Sequence, residues 1–293
     1  MKRIFLAASL WISPVIAEEG MRFEAEILLE MDDEAFGGFS SIEVSADGGS
    51  LIATSDRGNW LQAQIRRENG RMLGLEAKVL SPILDSTGVP LSGFNTDAEG
   101  LAIAPDGSLY VSFESNHRVM VQESLDAIPG FVPKHPDFPK LQNNSGLEAL
   151  AVDENGMLIA IPERSGGLDR PFTVYRYIDG RWNTDWSIPR EGEYLVTGAD
   201  VFEGWLYVLE RDLEGLFGFT SRIRRFEMAS GLQTAQTLLT TRAGRFDNLE
   251  GIAIWKTPGN ELRAIMISDD NFRFFQRSEL VEFSLHPWPQ PSD

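Results

Sequence analysis

The sequence predicts an all-β chain folded as a β-propeller: four-stranded antiparallel blades around a central channel, five of them visible and a sixth left open. Three observations predict it. An apolar hairpin recurs five times, the recurrence keeps a spacing suited to one blade, and both strands of each hairpin are apolar nearly throughout. Strands of that kind are buried on both faces.

The five copies run Phe39–Arg57, Asp97–Glu114, Gly146–Arg164, Gly198–Arg211 and Asn248–Phe272. In each, a tight turn rich in Asp, Asn and Gly joins two apolar strands, as Pro105-Asp106-Gly107 does in the second copy. The second strands end at Asp56, Glu114, Glu163, Glu210 and Asp269, at intervals of 58, 49, 47 and 59 residues. That period suits a four-stranded blade. Weaker alternating runs supply the half-exposed outer pairs: Trp60–Arg67 with Met72–Leu80, Phe172–Ile178 with Arg181–Ile188, and Arg222–Met228 with Thr234–Thr240. The first run, Phe23–Glu30, and the last, Glu279–Leu285, are placed together in the final blade, where they close the ring and remove exposed sheet edges. The segment Ser124–Ser145, with prolines at 129, 133, 136 and 139, reads as a long surface excursion. A β-sandwich or a solenoid is the architectural alternative.

The chain has 293 residues, 42% of them apolar, enough for a sizeable core. Met1-Lys2-Arg3, the apolar Ile4–Ile12 and the small-residue end Val15-Ile16-Ala17 read as a secretory signal over residues 1–17. Residues 18–293 then form one propeller domain, periplasmic or secreted after cleavage near Ala17. No other apolar run approaches membrane length. The absence of cysteine excludes disulfides, thiolate metal sites and cysteine nucleophiles. The formal net charge of −18 becomes −20 without Lys2 and Arg3. Such a field repels nucleic acid and anionic membranes and attracts cations. Beyond the signal stand four lysines against twenty arginines, and arginine's rigid fork suits carboxylate and phosphate groups.

In an antiparallel hairpin the start of the first strand and the end of the second share one edge. Glu99 is therefore paired with Glu114, Glu148 with Glu163, and Glu250 with Asp269, while Asp56, Asp200 and Glu210 are placed at the same rim. Converging inner strands would gather these acids at the mouth of the channel. Carboxylates so crowded must be protonated or neutralised. A hard cation such as calcium would do this with oxygen ligands, aided by Asn95, Asn144 and Asn248. Arg57, Arg118, Arg164, Arg211 and Arg273, each close to a strand end, would do it too. Structural readings stand beside these: an acid at a strand start can be a plain polar end, and an acid–Arg pair a latch. Asp106 and Asp153 are placed at the opposite rim as turn formers. No Gly-x-Ser-x-Gly elbow, His-Glu-x-x-His or Gly-rich phosphate loop is present. Of three histidines, His117 alone lies near the predicted rim, as a general acid or base or as a plain surface residue.

The stretches "DAEGLAIAPDGSLYVSFESNHRV", "NSGLEALAVDENGMLIAIPER", "LYVLERD" and "NLEGIAIW…MISDDNF" together resemble the phytase-like family, described as "esterase-like activity of phytase", over about residues 22–285. The resemblance implies a secreted propeller distantly similar to calcium-dependent propeller phytases, in which mouth carboxylates hold calcium and basic groups bind phosphate. It casts Glu99, Glu148, Glu163, Glu250 and Asp269, with Asn248, as candidate metal ligands. Glu114, Glu163 and His117 become candidate catalytic groups, and Arg57, Arg118, Arg164 and Arg211 the clamp on a small anionic or ester substrate. The scarcity of lysine departs from the phytase pattern. The expectation is a monomeric metal-dependent hydrolase of phosphate or carboxylate esters. Its alternatives are a non-catalytic binding propeller with a structural metal and a calcium-dependent lactonase.

Overall fold

A computed structural model describes residues 20–143 and 145–286; the signal assigned to residues 1–17, and Asn144, lie outside them. Within them, twenty strands form five four-stranded antiparallel sheets. The chain opens with β1 (Met21–Leu28), which belongs to the last blade. Blade one is β2 (Phe39–Val44), β3 (Ser50–Ser55), β4 (Asn59–Glu68) and β5 (Arg71–Pro82). Blade two is β6 (Ala98–Ile103), β7 (Leu109–Phe113), β8 (Arg118–Gln122) and β9 (Gly130–Phe131). Blade three is β10 (Ala149–Val152), β11 (Leu158–Ile161), β12 (Phe172–Ile178) and β13 (Arg181–Ile188). Blade four is β14 (Leu195–Phe202), β15 (Trp205–Leu213), β16 (Phe219–Glu227) and β17 (Ala235–Thr240). Blade five is β18 (Asn248–Lys256), β19 (Leu262–Asp269) and β20 (Glu279–Leu285), with β1 as its outer strand.

The inner strands β2, β6, β10, β14 and β18 neighbour one another in turn, and β18 returns to β2. The ring thus closes with five blades. Closure is made by chain ends: Met21 lies opposite Leu285 and Leu28 opposite Glu279. Arg67 of blade one adds a latch, its Nη1 and Nη2 donating at 2.9 and 2.7 Å to the fully buried Glu282 of β20.

The apolar runs fill the spaces between blades. Phe39, Ile42, Leu51 and Leu61 of blade one pack with Ile265, Ile267 and Leu280 of blade five, and each such burial contributes about 1.5–3 kcal/mol. At the axis the crowding is tighter still. A Cβ on Gly251 would stand 2.7 Å from Ser41 Cα, and one on Gly198 would stand 2.4 Å from the Glu250 carbonyl oxygen. Glycine after the strand-start acid is therefore a packing requirement, set by the neighbouring blade's backbone. The axis is consequently filled rather than open: the void among Ser41, Gly100, Leu150, Gly198 and Ile252 measures about 10 Å³, at the lower limit for one water. The expected central channel is two separate mouths. Asp106 and Asp153 form the turns at the far end, accepting the Ser108 and Asn155 backbone N–H groups at 2.9 Å.

The segment 124–145 is not purely a surface excursion. It supplies the short β9 and buries Val132 and Phe138, the latter edge-on to Tyr175 and Trp182 of blade three. Prolines interrupt the strand, and Phe138 then wedges blade two against blade three. Phe138→Ala is expected to lower the unfolding free energy by about 3–5 kcal/mol in urea denaturation; a surface excursion would give a change within about 0.5 kcal/mol.

Candidate metal centre

The acids reach one mouth because the inner strands are bulged at matching places. Ser40, Thr197 and Glu250 are each the extra residue between regular pairs, and Glu99-Gly100 together face Ser112 alone. A bulge bends the strand and re-aims its side chain. Glu148, just before β10, holds the same place in blade three. The five positions around the mouth are thus three acids and two hydroxyls. The second strands add Asp56, Glu114, Glu163 and Asp269, and the loop before β6 adds Asp97.

The mouth has two unlike halves. On one side, Arg211 lies among acids. It donates to Glu250 and to the Asn248 side-chain Oδ1 in short contacts and reaches Glu163 Oε1 at 3.2 Å. Asn248 Nδ2 in turn donates to Glu250 at 2.8 Å and to Asp269 at 3.4 Å. Arg164 Nε holds Glu163 Oε2 at 3.2 Å and the Ser145 hydroxyl at 2.8 Å. Arg211's pKa is pushed beyond its ordinary value by Glu250, Glu163 and Glu148, overcoming the opposing effect of burial.

The other half has no such cation. Oxygens of Asp97, Glu99 and Glu114 lie within 4.8 Å of one another. Among the described residues, no arginine or lysine makes an ion pair with any of the three. Glu114 accepts the Gly146 N–H at 2.7 Å and lies within hydrogen-bond reach of Glu148, a contact that needs a proton between the two carboxyls. Burial, then Glu250, Asp97 and Glu114, hold Glu99 well above the usual carboxylate range. Burial and then Glu99 do the same to Glu148. Asp97 is raised by burial, against the Ser115 hydroxyl at 3.0 Å. Asp56 is pushed up to about 7 by burial, then by Asp97 and Glu250, and its Oδ1 is buried without a hydrogen-bond partner. Asp269 is pushed up to about 8 by burial and then by Glu250.

This all-oxygen donor set, three carboxylates converging without a cation and an orphaned carboxylate oxygen beside them, fits a hard divalent ion such as calcium. Asp97, Glu99 and Glu114 would hold it, with Glu148 and Asp56 adjacent. Glu250, Asp269 and Asn248, candidate ligands by resemblance, lie in the half that Arg211 occupies. Asp97 is the residue that sequence reasoning missed. It stands two positions before Glu99 as Asn248 stands two before Glu250, and that register is the signal that could have found it.

Six other residues stand elsewhere than expected. Asp200 lies five residues into β14 and at the opposite mouth, accepting the Val201 and Ile254 N–H groups at 2.7 and 2.6 Å. Glu210 is fully buried within β15, where Arg222 and Arg224 donate to it; strand alternation turns the next residue, Arg211, to the acid mouth instead. Arg57 is exposed and lies over the Phe272 ring, 3.2 Å from its centroid, and Arg273 lies over Phe275. His117 is buried against Gly146, with no carboxylate in ion-pair reach, and burial lowers its pKa. Arg118 stacks on Phe113 and donates to the Asn95 carbonyl at 2.7 Å.

Among the described residues no helix is long and apolar enough to cross a membrane. No curated protein matches the chain in sequence. Three solved structures are similar in shape. The PQQ-bound aldose sugar dehydrogenase of Streptomyces coelicolor is 14% identical, with TM-score 0.47, covering 89% of this chain and 98% of that one. The RRP9 WD40 repeats are 11% identical, with TM-score 0.46, covering 91% and 100%. The tail fibre of Staphylococcus aureus phage P68 is 14% identical, with TM-score 0.48, covering 92% and 53%. None of them brings an activity to this chain. The family model described as "Phytase-like: Esterase-like activity of phytase" matches residues 34–272, and the chain belongs to that family.

Proposed function

We propose that the protein is an exported metal-dependent hydrolase of phosphate or carboxylate esters, working at the acid mouth. The observation that carries this reading is the convergence of Asp97, Glu99 and Glu114 within 4.8 Å with no paired cation, in a phytase-like chain. A calcium ion held there would supply Lewis-acid polarisation of the ester oxygen. The chain's own groups divide the remaining work. Glu148, whose pKa is raised by burial and then by Glu99, is the group suited to give a proton to a leaving oxygen. Arg211, spanning Glu163 and Glu250, fixes both carboxyl groups and sets a positive charge beside an anionic substrate.

A second reading has one observation in its favour. Glu99 and Glu148 are 9% and 8% exposed, a depth that also suits a metal serving only as a staple in a ligand-binding propeller. Turnover separates the two. Phosphomonoesters, carboxylic esters and lactones are offered to the purified protein with calcium and with chelator. The hydrolase reading expects chelator-sensitive turnover of at least one class and a loss of about 100-fold or more in Glu99→Gln, with the melting curve still cooperative. No turnover in any class would favour the staple, and turnover indifferent to chelator would remove the metal from the chemistry.

Proton linkage gives an independent check. Asp56 and Asp269 ionise near 7 and 8 in the folded chain but near about 3.9 when unfolded. Between those values the folded state holds more protons, so chelated protein should lose stability as pH rises from about 4 to about 8. Calcium held by Asp97, Glu99 and Glu114 would disfavour the proton on the neighbouring Asp56, so the melting-temperature gain it brings should be larger at about pH 8 than at about pH 5. A chelated melting temperature that rises across this window would contradict the assignment.

A further inference from the structure

Blade two is the one whose outer strand is cut short. β9 has two residues and pairs only Phe131 with Met120 and Gly130 with Val121, whereas the other outer strands run for six to twelve residues. Pro129 and Pro133 flank β9, and proline has no N–H to extend a ladder. The start of β8, at Arg118, is therefore left without an outer neighbour. Residues of the Val89–Asn95 loop border a half-open cavity of about 420 Å³ there.

The lining is unusual for so acidic a chain. Arg118 is 4% exposed; its Nη2 donates to the Asn95 carbonyl oxygen, while its Nη1 is buried with no hydrogen-bond partner. Lys134 Nζ reaches Asn116 Oδ1 at 2.8 Å. No carboxylate is in ion-pair reach of either cation among the described residues, unlike Arg164, Arg211, Arg222 and Arg224. Burial brings the Arg118 guanidinium down to about 10, so it remains charged at neutral pH, and burial together with Arg118 lowers Lys134. Asp85 also lines the cavity, its Oδ1 accepting from the Thr87 hydroxyl and the Thr87 and Val89 N–H groups, which anchor it on its own turn. The remaining wall includes the apolar side chains of Leu91, Met120 and Phe131, Met120 standing on the same face of β8 as Arg118.

We propose that this cavity binds an amphipathic anion, a carboxylate or phosphate head on a short apolar body. The head meets Arg118 and Lys134, where a charge-assisted pair satisfies the orphaned Nη1. The body lies against Leu91, Met120 and Phe131. A neutral apolar ligand would leave the two cations unpaired, and a bare anion would leave the apolar wall wet. The inference does not depend on the metal reading: Asp97 at the mouth acts on Arg118 only through its charge, and no acid of the mouth lines the cavity.

Calorimetric titration tests it on the full chain, with chelator present so that the mouth cannot capture phosphate through a metal. The probes are hexyl phosphate and hexanoate, with inorganic phosphate and hexanol as half-ligands. Binding of either amphiphile at one per chain is expected, at least tenfold tighter than either half-ligand. Arg118→Gln should weaken it tenfold or more, and Lys134→Gln, at an exposed position that leaves folding intact, several-fold. Which amphiphile binds more tightly identifies the head. The proposal is overturned if neither binds, if inorganic phosphate binds as well as hexyl phosphate, or if Lys134→Gln leaves affinity unchanged.

Discussion

The inner strands pack so closely around the axis that a methyl group on Gly251 would stand 2.7 Å from Ser41 Cα. This crowding governs the rest. It demands glycine or another small residue just inside the mouth, closes the axis, and brings the residue before each of these small residues close to its counterparts. Bulges at that level then turn those residues to one side. When the residue is glutamate, as in blades two, three and five, the packing that stabilises the core concentrates negative charge.

That charge is compensated unevenly, and the unevenness is what gives the site its chemistry. Blade four carries Thr197 at the mouth and turns Arg211 inward, so its neighbours Glu163 and Glu250 have a cation. Blade two carries Asp97, Glu99 and Glu114 and has none within ion-pair distance. A buried carboxylate without a partner cannot remain charged cheaply. It is stabilised by a proton or by a cation, and the proposed function rests on the second alternative.

The ring, its five blades, the closing pair β1–β20 and the hairpin edges that face the mouth were legible in the sequence, because each rests on a period and on strand alternation. The bulges were not, since one extra residue leaves no mark on an apolar run. For the same reason Asp200 looked like a strand-start acid when it lies at the far mouth. Glu210 looked like a strand end because the continuation of β15 to Leu213 is polar. The two cations of the blade-two cavity were visible only as residues. Their isolation follows from a strand that proline cuts short, and it takes a structure to show what that strand no longer covers.

The central claim is that the uncompensated half of the mouth, and not the half held by Arg211, is the metal centre. Calcium titration of the chelator-stripped protein by calorimetry tests it most directly, comparing wild type with Asp97→Asn and Glu163→Gln. The account predicts one tight site per chain that Asp97→Asn weakens by at least tenfold and Glu163→Gln leaves nearly intact. Calcium binding unchanged in Asp97→Asn but lost in Glu163→Gln would contradict it.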